Sequence, residues 1–198
     1  MKIHSKQSKK GFTLIEILVV VAIIGTLAAI SFPIGKSMIN RGKAKDTQLR
    51  MKEFVTAMNA FNEDNGHLPF PGDKYPTNDV TLSGEKLRQV VRILLGNDYQ
   101  NADFDGGNKK GKKYLDMPTA KGGKNGLEFY KDGKGLPRSI WDAWGEGFYI
   151  RVDYNLDNKL KQWHTSDTDQ LVEGHTVIML SRGGDRKKNG DDDVFSWK

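Results

Sequence analysis

The chain has 198 residues, a formal net charge of +6 from 31 basic and 25 acidic residues, and no cysteine. The lack of cysteine excludes disulfides and thiolate metal sites. Four of the lysines, at positions 2, 6, 9 and 10, precede the first apolar run, so the rest of the chain is nearly neutral. We therefore expect no nucleic-acid partner.

The first element is an apolar run from Phe12 to Phe32 in which Glu16 is the one charged residue. A helix of this length measures roughly 30 Å, the thickness of a bilayer's hydrocarbon core. The basic residues ahead of it predict that the N-terminus lies on the cytoplasmic side. The pattern predicts a transmembrane helix at 12–32 and makes the buried Glu16 a candidate functional residue.

The junction ahead of this run reads Lys-Lys-Gly-Phe-Thr-Leu-Ile-Glu, ending at Glu16. It resembles the cleavage site of type IV pilins and type II secretion pseudopilins. The resemblance implies that a prepilin peptidase cuts after Gly11 and methylates Phe12, that residues 1–11 are a leader, and that Glu16 serves assembly. The competing interpretation is an ordinary signal peptide cut near residues 26–29, although its apolar region would be shorter.

After Pro33 the apolar residues recur at helical spacings of three, four and seven, which predicts an amphipathic continuation over 33–65. Pro33 itself predicts a kink, and Asn65-Gly66 is a natural helix end. We expect one helix from about 12 to 64. Residues 66–198 then form a globular domain.

Within that domain, Ser83 to Leu95 carries an apolar stripe and predicts a short helix with Ser83 as its N-cap. Residues 97–135 predict loop with one strand at 127–130. Gly106 and Gly111-Lys112 nearly match a phosphate-binding loop, but Lys113 replaces the required hydroxyl residue and no buried strand precedes it. We do not expect nucleotide binding.

The following stretch predicts a turn and a strand over 140–153, with residues 160–163 as the hairpin partner and a buried strand at 177–181. Its Trp-Asp-Ala-Trp-Gly segment, residues 141–145, resembles a turn in the type II secretion major pseudopilin. Ala143 and Gly147 replace that family's prolines. The tail from Ser181 to Trp197 resembles the same family's ending, whereas residues 66–139 have no such likeness.

The tail is rich in carboxylates and glycines, which suits calcium because this ion takes six to eight oxygen ligands. The family resemblance implies calcium bound by Asp185 and Asp193, with Asp191 and Asp192 as alternates. Basic residues at 186–188 depart from the family's glycine-rich run. The other interpretation of the cluster is a solvated surface neutralised by these cations.

A second acidic pattern, Asp153-x-Asn155-x-Asp157, begins like an EF-hand loop but lacks its glycine and distal glutamate. We interpret it chiefly as a hairpin turn, with a second calcium as the alternative. The four histidines have no metal-ligand spacing, and no nucleophile motif is present. We therefore expect that the protein is not an enzyme.

These observations predict an α+β fold in which one long N-terminal helix packs on a small antiparallel sheet with a C-terminal metal-binding loop. The resemblance implies a type II secretion pseudopilin, anchored once in the inner membrane with its C-terminal domain in the periplasm. Its partners would be other copies of itself, other pseudopilins, prepilin peptidase and the inner-membrane secretion platform. The alternatives are a type IV pilin for adhesion, motility or DNA uptake, and a helix-tethered periplasmic binding domain.

Overall fold

The computed structural model describes residues 11–96, 108–131, 135–162, 171–187 and 190–198, without the side chains at 30 and 32–34. Most of the predicted leader, the glycine at 106 of the near phosphate-loop match and Trp163 of the predicted hairpin lie outside the described residues. The chain divides into two compact units, residues 1–41 and 42–198.

The first helix, α1, spans Leu14–Asn65, close to the predicted range of 12–64. It continues through position 33 without a break. In the first unit its large apolar side chains are exposed, at Leu14, Ile15, Ile17, Leu18, Val19, Val20, Val21, Ile23, Ile24 and Leu27.

Across the described part of the chain, no helix is both long and apolar enough to cross a membrane. The transmembrane helix at 12–32 stays a prediction.

In the second unit, α1 contributes one face to the core. Its fully buried apolar residues follow the helical spacing that the sequence predicts: Met51, Phe54, Ala57, Met58 and Phe61. The helix ends where Gly66 adopts a left-handed conformation, with φ at 76°, and donates its N–H to the Asn62 carbonyl at 2.8 Å. Glycine takes that conformation without steric cost, which is why the chain can turn there.

The sheets are small and antiparallel. A four-stranded sheet has the order β1-β4-β7-β8, comprising β1 (Val80–Leu82), β4 (Tyr149–Val152), β7 (Val177–Ser181) and β8 (Val194–Phe195). Two two-stranded sheets pair β2 (Gly126–Phe129) with β3 (Pro137–Trp141) and β5 (Lys159–Lys161) with β6 (Leu171–Glu173). A second helix, α2, spans Gly84–Leu95. An α+β fold with a long helix packed on antiparallel sheets is confirmed.

The predicted helix at 83–95 and the strands near 127–130, 148–152 and 177–181 are confirmed. The predicted hairpin between β4 and residues 160–163 is wrong. β4 lies between β1 and β7, with Val152 opposite both Val80 and Val177, and β5 pairs with β6 instead. The sequence favoured residues 160–163 as the partner because they are close to β4 along the chain. β4 has buried side chains at Ile150 and Val152, and a position inside the sheet buries more of their apolar surface than a two-stranded hairpin would.

The core closes around Tyr154, which follows β4 and is 2% exposed. Its hydroxyl donates a hydrogen bond to the Pro69 carbonyl at 2.7 Å, and its ring packs edge-on against Tyr75 with centroids 5.5 Å apart. Burial raises the pKa of the Tyr154 hydroxyl, so this group remains a donor at neutral pH. The bond fixes the loop after α1 against the four-stranded sheet.

We expect Tyr154→Phe to lower the free energy of unfolding by about 1 to 3 kcal/mol, because the buried Pro69 carbonyl loses its donor. Tyr130→Phe is the matched control, since Tyr130 is exposed. Urea unfolding of both variants measures the difference. Equal midpoints for the two variants would show that the hydrogen bond contributes nothing.

Candidate functional site

The predicted processing junction lies just ahead of α1. Gly11, Phe12 and Thr13 are exposed and precede the helix, and the Phe12 side chain is 84% exposed. Chain segments that are exposed and outside regular structure are the ones proteases reach most easily. The geometry is therefore compatible with cleavage between Gly11 and Phe12.

Thr13 and Glu16 form a reciprocal pair at the start of the helix. The Thr13 N–H and hydroxyl both donate to Glu16 Oε2, at 2.7 and 2.8 Å, and the Glu16 N–H donates to Thr13 Oγ1 at 3.3 Å. The Thr13 carbonyl accepts the first helical bond, from Ile17. This is a capping box, in which two otherwise unpaired helix donors are satisfied.

The role of Thr13 was missed in the sequence analysis, although Thr-x-x-Glu ahead of an apolar run is the pattern that signals a capping box. The sequence pattern predicts Glu16 as the one charge of an apolar run and as a residue that serves assembly. In the structure its carboxylate also caps the helix, where the positive end of the helix dipole favours negative charge.

A buried carboxylate, Asp142, organises the turn after β3. The residue is 0% exposed, and its Oδ1 accepts the N–H groups of Trp144, Gly145 and Glu146 at 2.8 to 2.9 Å. Its Oδ2 accepts the hydroxyl of Ser181 at the end of β7. One side chain therefore closes the turn and ties it to the four-stranded sheet.

The same turn is joined to α1 and to the tail. Thr47 of α1 is 0% exposed, and its hydroxyl oxygen accepts the Ala143 N–H at 3.1 Å. The Ser181 hydroxyl oxygen accepts the Gly183 N–H at 3.2 Å, where φ of Gly183 is 65°. Position 183 has no room for a side chain, because a Cβ there would lie 2.3 Å from the Asp192 carbonyl oxygen.

Two of the predicted calcium ligands meet in this tail loop. Asp192 Oδ2 accepts the N–H groups of Gly184 and Asp185, at 2.6 and 3.1 Å. A Cβ on Gly190 would lie 2.9 Å from both carboxylate oxygens of Asp185 and 3.0 Å from Asp192 Oδ1. Asp192 Oδ1 is itself shielded from solvent and has no hydrogen-bond partner among the described residues.

The other two predicted ligands are placed differently. Asp191 is exposed. Asp193 donates its N–H to the Gly190 carbonyl at 3.3 Å and lines a shallow groove with Lys45 and Gln48 of α1. The structure thus brings Asp192, which the sequence analysis ranked as an alternate, next to Asp185.

The EF-hand-like segment is a turn whose carboxylates are used by the backbone. Asp153 is 0% exposed and accepts the N–H groups of Leu156 and Asn158, at 2.7 and 2.8 Å. Asp79, distant in sequence, completes a group of three carboxylates with Asp153 and Asp157, whose ligand atoms lie within 4.8 Å of one another. Burial, with the charges of Asp153 and Asp157, raises the pKa of Asp79.

Comparison with known proteins bears first on the N-terminus. Residues 6–32 match the Prokaryotic N-terminal methylation motif. The chain is 33% identical over 106 residues to a fimbrial protein of Dichelobacter nodosus, covering 54% of this chain and 64% of that protein. It is 29% identical over 109 residues to a fimbrial protein of Neisseria meningitidis, covering 53% and 63% of the two chains.

A shorter match, 44% identical over 52 residues, is to the type IV major pilin protein PilA of Myxococcus xanthus, covering 26% of this chain and 24% of that one. The chain spans a little under two thirds of the two fimbrial proteins named above. No solved structure gives a significant match. The motif and these relatives support the type IV pilin-like superfamily, and they do not single out the type II secretion pseudopilins.

We expect Asp142→Asn to lower the free energy of unfolding by about 1.5 to 3 kcal/mol, the range for hydrogen bonds to charged groups. The amide keeps the shape but puts an NH₂ group where a carboxylate oxygen now accepts a bond. Asp73→Asn is the control, because Asp73 is exposed in a loop. Chemical unfolding checks the difference, and a loss no larger than that of the control would remove Asp142 from its organising role.

Proposed function

We propose that this chain is a filament-forming subunit of the type IV pilin-like class, of which the type IV pilin is the better-supported form. The observation that carries the proposal is an exposed apolar helix segment, Leu14 to Leu27, that follows the Gly11–Phe12 junction and holds Glu16 in its first turn. Large exposed apolar surfaces mark interaction sites. The methylation motif covers this same segment.

In this proposal a prepilin peptidase cuts after Gly11, and Phe12 then carries the new amino group. The apolar segments of neighbouring copies pack against one another, because removing their apolar surface from water is favourable in free energy. The Glu16 carboxylate accepts a hydrogen bond from the ammonium of a neighbour's Phe12 inside this apolar bundle. Breaking a buried charge pair by removing one partner costs about 3 to 5 kcal/mol, which makes Glu16 a strong determinant of assembly.

The second candidate is the type II secretion pseudopilin, with other pseudopilins and the inner-membrane secretion platform as partners. It is supported by the tail loop, in which Asp185 and Asp192 converge on Gly190, and by the absence of cysteine. Both candidates are anchored to the inner membrane by the N-terminal segment and expose the globular unit to the periplasm. They differ in the machine that assembles the filament.

We further propose that the tail loop binds calcium through Asp185 and Asp192. The residues fit a hard cation, because Asp192 Oδ1 is shielded from solvent, has no donor among the residues that the structure describes, and lies beside the Asp185 carboxylate. Asp193 and Asp191 are the remaining candidate carboxylates. Bound calcium would offset repulsion between these groups, and the chain itself supplies the N–H donors that orient Asp192.

Processing and assembly test the proposal together. Co-expressed with prepilin peptidase and its assembly machine, the chain should lose residues 1–11 and gain one methyl group, which intact-mass analysis measures. Sheared filaments should contain the mature form, and Glu16→Ala should abolish them while leaving the subunit in the membrane fraction.

A mature N-terminus near residue 30 would instead identify an ordinary signal peptide. Normal filaments from Glu16→Ala would overturn the assembly role of the carboxylate. Secretion of a reporter by the type II machine, with no surface filament, would favour the second candidate over the first.

Calcium should raise the melting temperature of the purified chain relative to chelator, and magnesium should raise it less. At a hundredfold excess over Kd the gain is about 2.7 kcal/mol, because the ion binds only the folded state. Asp192→Asn should erase the difference, whereas Asp73→Asn should keep it. Identical melting in calcium and chelator would leave the tail as a surface neutralised by its own basic neighbours.

A further inference from the structure

We propose that Trp144 is a positioning residue of the calcium site in the tail loop, and that its indole N–H orients the Asp192 carboxylate toward the ion. This inference rests on the calcium proposal above and adds to that site a residue from outside the acidic cluster. It is carried by a buried indole whose N–H lies against the tail loop without a hydrogen-bond partner among the described residues.

The indole N–H of Trp144 is a buried donor. The residue is 8% exposed, and its Nε1 is shielded from solvent with no acceptor within the part of the chain that the structure describes. Trp141, three residues earlier, shows the ordinary arrangement, because its Nε1 donates to Glu128 at 2.7 Å. A buried donor without an acceptor costs free energy, so an acceptor brought close to Trp144 Nε1 is held there favourably.

The indole and the Asp192 carboxylate meet beside Gly184. A Cβ on Gly184 would lie 2.8 Å from Trp144 Nε1 and 3.3 Å from Asp192 Oδ2, so the two atoms can be no farther apart than the sum of those distances. One bridging water, or a small rotation of the Asp192 side chain, closes a separation of this size. Only glycine at position 184 leaves room for this approach.

The two oxygens of Asp192 have different surroundings. Oδ2 accepts the N–H groups of Gly184 and Asp185, whereas Oδ1 is shielded and has no hydrogen-bond partner in the described chain. A cation on Oδ1 and the indole N–H on the same carboxylate would satisfy both unpaired groups at once. Donors that bind a ligating carboxylate from behind fix its orientation and strengthen the metal site.

The position of the indole is set by the turn after β3. The Trp144 backbone N–H donates to Asp142 Oδ1 at 2.9 Å, and Asp142 is completely buried. The same turn also holds the tail loop through an ion pair between Arg186 Nε and Glu146 Oε1, at 3.2 Å. Because its own backbone is fixed in this way, Trp144 can orient Asp192 instead of moving with it.

The test compares Trp144→Phe with Trp141→Phe in the purified full chain. Each substitution keeps an aromatic ring and removes one indole N–H, but only the Trp144 N–H faces the tail loop. We expect Trp144→Phe to raise the Kd for calcium by about tenfold, the effect of losing one hydrogen bond to a charged group. Trp141→Phe should bind calcium like the wild type. Calorimetric titration measures both values, and melting in chelator shows that both variants fold.

A second measurement leaves the site intact. In the wild type, the ¹H–¹⁵N resonance of the Trp144 indole should move downfield when calcium is added, because its N–H then bonds to the carboxylate. The resonance is assigned by its loss in Trp144→Phe, and that of Trp141 should stay in place. A Trp144 resonance that does not move at saturating calcium overturns the inference, even if Trp144→Phe proves less stable.

The same titrations distinguish this inference from the calcium proposal. Calcium binding with equal affinity in the wild type and Trp144→Phe would leave the calcium site standing and remove Trp144 from it. A wild type that binds no calcium would overturn both. The proposed filament function stands apart from either result, because it is tested by processing at Gly11 and by assembly.

Discussion

The globular unit depends on how the Asp142 carboxylate is satisfied. A charge taken fully out of water is costly unless hydrogen-bonded, and here three backbone N–H groups and the Ser181 hydroxyl supply the bonds. Those donors come from a turn and from the end of β7, so neither can move alone. Through Thr47 and Gly183 the same arrangement also fixes α1 and the tail loop. Three stretches that are remote in sequence, namely α1, the turn after β3 and the end of β7 with the tail loop, thus depend on one buried carboxylate.

Carboxylates that accept backbone N–H groups recur at three further places in the described chain. Glu16 caps α1, and Asp153 closes the turn before β5. Asp192 accepts backbone N–H groups at the start of the tail loop. Each uses a negative charge in place of the regular structure that would otherwise pair those donors. Asp79 is different: its Oδ1 is shielded from solvent without a hydrogen-bond partner among the described residues, and burial, together with the neighbouring charges, raises its pKa. Acidic residues are therefore as much a folding device here as a functional signal.

The sequence predicted best what depends on local pattern. The long helix, α2 and the buried β7 follow from apolar spacing and chain breakers. The roles of Gly11, Phe12 and Glu16, which come from one contiguous motif, stay predictions. Strand pairing and the acidic clusters were less accessible, because Val80 meets Val152 and Asp79 meets Asp153 only through the tertiary fold. β1, β6 and β8 have two or three residues each, too few for alternation to show. The Thr13–Glu16 capping box was missed, although the Thr-x-x-Glu pattern predicts it.

The strand order of the four-stranded sheet determines when this unit can fold. In this sheet β1 pairs with β4, which places Leu82 opposite Ile150. The pairing of β7 with β8 completes the sheet with residues up to Phe195. Pairing over such sequence separations slows folding, because the entropy cost of closing a large loop precedes the favourable contacts between the strands. During synthesis the early helix would therefore exist before the sheet that covers its second half. Until β7 emerges, the buried face of α1 at Met51 and Phe54 is exposed to any chaperone or membrane surface nearby.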